Sequence, residues 1–436
     1  MTTQAFMMTV LTGLAANLVS AGTLHLRLEP DRDLLLAGSS QEVVVKVDLT
    51  AVGDRKRIRR TPLNLAVVLD RSGSMAGAKI EKARQAAMEL VDGLAPGDLF
   101  SMITYSDRAQ VLVPSQTIDD KELVKSQIAR IHVGGSTALY AGVKCGADQL
   151  EKFLSPKRIN RIMLLSDGLA NIGPSSPRDL RQLGHALSER GISVTTIGVG
   201  EDYNEDLMSG LAEASDANYY YVKDTEKLSE IFARELGELT TVAARRVRIE
   251  IICPDGIKPI GFIGRSEKFQ GQKAVVELSQ FTPGQNRCLF LRCVANDSKS
   301  ELALVRTTYT DELNGGTEDA ISQTVKVRFT QNAELAANSL HPDVAAQKEL
   351  LLTAVAKDEA LADADAGRYQ VAAQKLARQA TALDQQYQNA PATLQSQIRE
   401  EAQNLRLRSN QLQHNQYDSS SRKSLQSESW TLRNSK

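Results

Sequence analysis

No two cysteines in this 436-residue chain are spaced for a metal or a redox couple. Cys145, Cys253, Cys288 and Cys293 contain no CxxC pair, which excludes the usual zinc and thiol-exchange patterns. Cys288 and Cys293 fall on one expected strand, where an odd separation points them to opposite faces and argues against a disulfide between them. Excess charge of either sign is missing too: 52 basic residues stand against 53 acidic ones. No bulk field therefore draws the chain to nucleic acid or to a bilayer. The basic runs at Arg55, Lys56, Arg57, Arg59 and Arg60, and at Arg245, Arg246 and Arg248, read as solvated linkers. Beyond the N-terminal leader, no apolar stretch is long enough to cross a membrane. The histidines His25, His132, His185, His341 and His414 are scattered, and no GxxxxGKS/T phosphate loop occurs.

What is present is a soluble globular composition, 42% hydrophobic and 24% charged, at a length that holds two or three domains. Residues 1–21 are an apolar leader without Lys or Arg, closing on Val19-Ser20-Ala21, small residues that suit a signal peptidase. A cleaved leader implies an extracytoplasmic protein; an uncleaved one, a cytoplasmic protein. Residues 22–60 alternate as strands ("LHLRLEP", "EVVVKVDL"). From 62 to 240, near-continuous apolar strands alternate with amphipathic helices, the mark of a doubly wound, mostly parallel sheet covered on both faces. Alternation returns over 245–330, an all-β block expected to pair with the N-terminal strands, so that the α/β unit is inserted in, or flanked by, a β-sandwich. Residues 343–413 carry helical periodicity, with Gly367 and Pro391 bounding the middle segment, and are expected to form a helical hairpin. The Ser-rich stretch 414–436 is expected to be disordered.

One stretch, "VVLDRSGSM" (67–75), carries the chemistry. A buried strand ends in a carboxylate, Asp70, followed by hydroxyls at alternate positions, Ser72 and Ser74. Gly73 gives the turn freedom to aim all three at one point. Open α/β sheets bind ligands outside the carboxyl ends of their strands, where strand order reverses. Asp167, in "LLSDG", ends a later strand, and Thr137, in "GGSTAL", opens a helix, so both are placed to face the same crevice. These five side chains offer oxygen alone, the donor set of a hard divalent cation; Mg²⁺ takes six oxygens at about 2.1 Å. Two carboxylates neutralise such an ion and leave it open to one more anionic oxygen.

In order and in placement, "DRSGS", "GGST" and "SDG" resemble the metal-ion-dependent adhesion site of von Willebrand factor type A domains. The resemblance covers about residues 62–240 and implies Asp70, Ser72, Ser74, Thr137 and Asp167 as metal ligands. It implies Mg²⁺ as the ion, with Ca²⁺ or Mn²⁺ as alternatives. The wider layout is similar to a bacterial group labelled calcium-activated chloride-channel-like and to inter-α-trypsin inhibitor heavy chains.

Three functions are open to such a chain. The first is a protein-binding module in which a partner's Asp or Glu completes the cation's coordination, with Arg71 in the loop. The second is a metal-independent scaffold acting through the β and helical regions. The third, phosphoryl transfer from a strand-end aspartate, lacks a second acid or base two residues on, since position 72 is serine. His132, beside the 134–139 loop, reads as a surface or packing residue rather than a catalytic one. No catalytic residue is assigned. In some relatives ligand engagement shifts the last helix of the domain, here about 225–239, and nothing in this sequence points to such a switch.

Overall fold

The computed structural model describes residues 19–54, 60–296, 299–414 and 416–434. The leader up to residue 18 and Arg55, Lys56, Arg57 and Arg59 lie outside the described residues. Four strands open the chain: β1 (Val19–Ala21), β2 (Leu24–Pro30), β3 (Leu34–Leu36) and β4 (Gln41–Ala51). The α/β unit follows as β5 (Leu63–Asp70), α1 (Ala78–Asp92), β6 (Leu99–Tyr105), β7 (Ala109–Thr117), α2 (Lys121–Ala129) and α3 (Leu139–Glu151). It continues as β8 (Ile159–Ser166), α4 (Pro177–Ser188), β9 (Ile192–Val199), α5 (Glu205–Ala214), β10 (Tyr219–Val222) and α6 (Leu228–Thr240). Then come β11 (Ala244–Ile252), β12 (Lys258–Phe262), β13 (Lys273–Phe281), β14 (Asn286–Ala295), β15 (Glu301–Asp311), β16 (Thr317–Lys326) and β17 (Arg328–Thr330). Helices α7 (Ala333–Ala337), α8 (Pro342–Asp365), α9 (Tyr369–Tyr387), α10 (Ala392–Gln413) and α11 (Ser419–Asn434) end it.

Every residue of β5, β6, β8 and β9 is buried, because helices cover both faces of the sheet. One face packs Ile80, Ala83 and Leu90 of α1 and Phe232 and Leu236 of α6. The other packs Leu139 and Val143 of α3, Leu180 of α4 and Leu211 of α5. Side chains of this kind contribute about 1.5–3 kcal/mol each when fully buried. Helix starts are specified locally: Ser176 and Asp179 form a capping box with Pro177 in the first turn of α4, and Asn204 caps α5. Strand order is β10-β9-β8-β5-β6-β7, parallel except for the antiparallel edge strand β7. The chain builds from β5 toward β7 on one side, then crosses to β8 and builds toward β10. Strand order thus reverses between β5 and β8, and the crevice lies at their carboxyl ends.

The β-sandwich has sheets β1-β2-β4-β14-β12 and β13-β11-β15-β16 around a shared core that includes Val45, Val47, Ile249, Val305 and Leu291. Strand β4 pairs with β14 from Gln41↔Ala295 to Thr50↔Asn286, which joins the first part of the chain to the later β block. The α/β unit leaves from β4 in one sheet and returns into β11 in the other, so it is an insertion into the sandwich. Cys288 and Cys293 share β14 on opposite faces: Cys293 sits in the sandwich core, while Cys288 packs toward α8 beside Gln347. All four thiols are free.

Three expectations are corrected. The helical region is more than a hairpin: α8, α9 and α10 run as three consecutive helices joined by short turns. The stretch expected to be disordered carries α11. Its Ser-rich sequence has little intrinsic helix tendency, and tertiary contacts supply the stability that propensity does not. Leu425 is buried in the helical core and Trp430 packs edge-on against Tyr219 of β10 at 5.8 Å. Arg245, Arg246 and Arg248 are part of β11, not a linker; Arg245 pairs with Glu312 and Arg248 with Glu277.

Candidate metal centre

Asp70 occupies the last position of β5, and the residues after it leave the sheet in a turn stitched to two neighbours. Arg71 N donates to Tyr105 O (2.9 Å), Gly73 N to Gly135 O (3.1 Å) and Gly134 N to Arg71 O (2.8 Å). Gly135 has φ +83°, and a Cβ there would sit 2.6 Å from Asp107 Oδ2, so this close approach requires glycine. Asp107 Oδ1 in turn accepts from Ser136 N at 2.9 Å. On the third side, Thr137 N donates to Asn171 Oδ1 (2.8 Å), and Thr137 O accepts from Asn171 N (3.1 Å). The loops after β5 and β8 and the loop before α3 are thereby fixed against one another.

Both Asp70 oxygens are engaged: Oδ1 accepts from Ser72 N and Oδ2 from Ser166 Oγ, each at 2.8 Å. Ser74 Oγ donates to Asp167 Oδ1 at 2.7 Å and lies 3.1 Å from Ser72 Oγ. A Cβ placed on Gly168 would lie 3.1 Å from Thr137 Oγ1, 3.2 Å from Ser74 Oγ and 3.9 Å from Ser72 Oγ. Three hydroxyls therefore lie around the space beside Gly168, with Asp167 bonded to the Ser74 hydroxyl and Asp70 to the Ser72 amide. The fold brings together all five residues singled out from the sequence. Asp70, Ser72, Thr137 and Asp167 are buried, whereas Ser74 and Gly73 are exposed, so the cluster reaches solvent beside Ser74.

Burial is the main reason Asp70 is held above the ordinary carboxylate range; Asp167 nearby pushes the same way, while Ser72 and Ser166 oppose it by hydrogen bonding. Tyr105, fully buried against the same carboxylate, is pushed well above the ordinary phenol range, first by burial and then by Asp70. Two like charges this close, out of water, call for a positive charge. The donor set, two carboxylates and three hydroxyls, suits a hard oxygen-seeking cation. Among the described residues, no group of three or more His, Cys, Asp or Glu side chains is arranged to hold a metal. His132 is exposed on the loop before Gly134, and Arg71 is half-buried in the turn.

Sequence reasoning missed four contributors. Ser166 supports Asp70, Asn171 fixes the Thr137 loop, and Gly168 keeps the centre free of a side chain. Lys79 places its Nζ 2.5 Å from Asp167 Oδ2. Gly168, directly after Asp167, was open to detection as a small residue beside a ligand. Lys79 was not, because no local pattern ties residue 79 to residue 167.

The family model of the von Willebrand factor type A domain matches residues 64–234, the α/β unit that carries this cluster. The chain contains a von Willebrand factor type A domain. An uncharacterized protein of Synechocystis sp. is 26% identical to it over 314 residues, covering 68% of this chain and 74% of that protein. Inter-alpha-trypsin inhibitor heavy chain H4 of Homo sapiens is 31% identical over 160 residues, 35% of this chain and 17% of the heavy chain. The likeness to the heavy chain thus spans a small part of that protein. A solved von Willebrand factor type A structure from Catenulispora acidiphila superposes with a TM-score of 0.68 at 17% identity, covering 87% of this chain and 89% of that one. That superposition shows a shared fold well beyond the domain itself. Von Willebrand factor type A domains bind a divalent cation and often mediate protein–protein contacts.

Proposed function

We propose that the protein binds a partner protein through a divalent cation held by Asp70, Ser72, Ser74, Thr137 and Asp167, with an Asp or Glu of the partner as the last ligand. The observation that carries this reading is the convergence of three hydroxyls on the space beside Gly168, between two buried carboxylates and open on the side of Ser74. A divalent cation there would be neutralised by the two carboxylates and, because the three hydroxyls add no negative charge, would stay electrophilic toward one more anionic oxygen. The residues of the chain do the rest. Ser166 and the Ser72 amide hold Asp70 in place at the end of its strand. The loop around Thr137 is clamped by Asn171 and by Gly135, which keeps the third hydroxyl aimed at the same point. Mg²⁺ fits the hydroxyl-rich set best, with Ca²⁺ or Mn²⁺ as alternatives.

The test is capture of binding proteins from an extract of the source organism, with Mg²⁺ or with EDTA, using wild type, Asp70→Ala and Asp167→Ala. A partner retained with Mg²⁺ and lost with EDTA and with both variants is the expected result. Retention indifferent to chelation and to both substitutions sinks the proposal and leaves a metal-independent scaffold.

A further inference from the structure

Lys79 sits where helix electrostatics disfavours it. It is the second residue of α1, whose N-terminus carries the positive end of the helix dipole, and that end favours acidic side chains. Its stem crosses the end of β9, where Cε and Nζ lie 3.4 Å from the position a Cβ on Gly200 would take. From there Nζ reaches Asp167 Oδ2 at 2.5 Å. Asp167 is fully buried, whereas the Lys79 side chain keeps 26% of its surface in solvent. The other oxygen of Asp167 accepts from Ser74, so the lysine and the hydroxyl cluster hold the two sides of one carboxylate.

We propose that Lys79 is the built-in counter-ion of the metal centre: it neutralises Asp167 while no divalent cation is bound, and cation entry breaks that ion pair. Lys79 therefore sets the cation affinity below what the five oxygen ligands alone would give. The inference rests on the metal reading above. Its physical basis is simple. A second positive charge a few ångströms from a divalent ion repels it, in a site too buried for water to screen fully. Lysine suits an exchangeable counter-ion, being a compact charge on a flexible stem that can swing into solvent.

The experiment titrates MgCl₂ and MnCl₂, each alone, into the full chain by calorimetry for wild type, Lys79→Met, Lys79→Arg and Asp70→Ala, with thermal melts of each protein with and without metal. Lys79→Met is expected to bind the cation about tenfold more tightly. Its metal-induced rise in melting temperature should be larger than that of wild type, because its metal-free form has lost the counter-ion. Lys79→Arg should stay near wild type and Asp70→Ala should not bind. Lys79→Gln, which keeps a donor for Asp167 without the charge, serves if Lys79→Met does not fold, with the same increase expected. Unchanged or weaker binding by the neutral variants overturns the counter-ion role while leaving the metal centre standing. Binding by neither wild type nor the neutral variants overturns both. Binding by the neutral variants alone supports the inference in its strongest form.

Discussion

Two lysine–carboxylate pairs stand beyond the carboxyl ends of neighbouring strands of the parallel sheet, and they are built for opposite purposes. At the clamp between α5 and α11, Lys423 Nζ contacts Glu205 Oε2 at 2.5 Å and Tyr203 O at 2.8 Å, and lies over the Tyr203 ring at 4.5 Å. Both partners are almost wholly out of water, with side-chain exposures of 3% and 6%. Neighbouring Arg422 ties Glu205, Asp206 and Asp365 together, joining α5, α11 and the end of α8. At the metal centre, Lys79 makes one ion pair among the described residues and keeps a quarter of its surface exposed. The first pair is sealed by an aromatic face, a carbonyl and a second cation, so opening it strands a buried charge. The second has a solvent path and no such cage. What separates a structural ion pair from an exchangeable one here is the number of other groups that hold the lysine.

The largest effect should come from breaking the clamp. Lys423→Ala leaves buried Glu205 with Arg422 as its remaining cation and is expected to cost about 3 kcal/mol, read by urea unfolding. A loss under about 1 kcal/mol would show the clamp to be as open as the metal-site pair. Arg422→Ala removes charge-assisted bonds to three carboxylates and should cost about 2 kcal/mol, with the loss appearing as earlier proteolysis of α11 than of the α/β unit. Lys79→Met without metal should cost only about 1 kcal/mol, and a loss as large as that of Lys423→Ala would erase the contrast.

Gly168→Ala is expected to alter metal-free stability by less than about 1 kcal/mol, yet abolish the rise in melting temperature on adding Mg²⁺. Its methyl would occupy the space on which the hydroxyls converge. A metal-induced rise equal to that of wild type would place the cation elsewhere. The smallest and subtlest effect concerns pH. Asp70 is held above its ordinary range by burial, so the folded state keeps this proton to higher pH than the unfolded chain does. Metal-free stability should therefore fall as pH rises from the ordinary carboxylate range through the raised value. Asp70→Asn should flatten that slope while eliminating cation binding, as followed by melts across pH in EDTA.

Much of this was written locally. The run Val67–Asp70 and the stretch Leu164–Asp167 end buried strands in carboxylates because a strand covered on both faces must be apolar until it emerges at the crevice. Ser72, Ser74 and Thr137 lie in turns whose glycines announce tight loops. The insertion of the α/β unit into a sandwich followed from the return of alternation after residue 245. What local pattern could not supply was α11. Its Ser-rich sequence resembles a disordered tail, and only the docking of Arg422, Lys423, Leu425 and Trp430 makes it a helix.

The sequence by itself determined the order of strands and helices and the oxygen character of the site. Periodicity and side-chain type are properties each segment carries alone. Tertiary structure alone decided that Lys79 meets Asp167, that Ser166 and Asn171 brace the ligands, and that the last helix is ordered. Those contacts join residues far apart in the chain, and their energies exist only once the sheet has brought its loops to one edge.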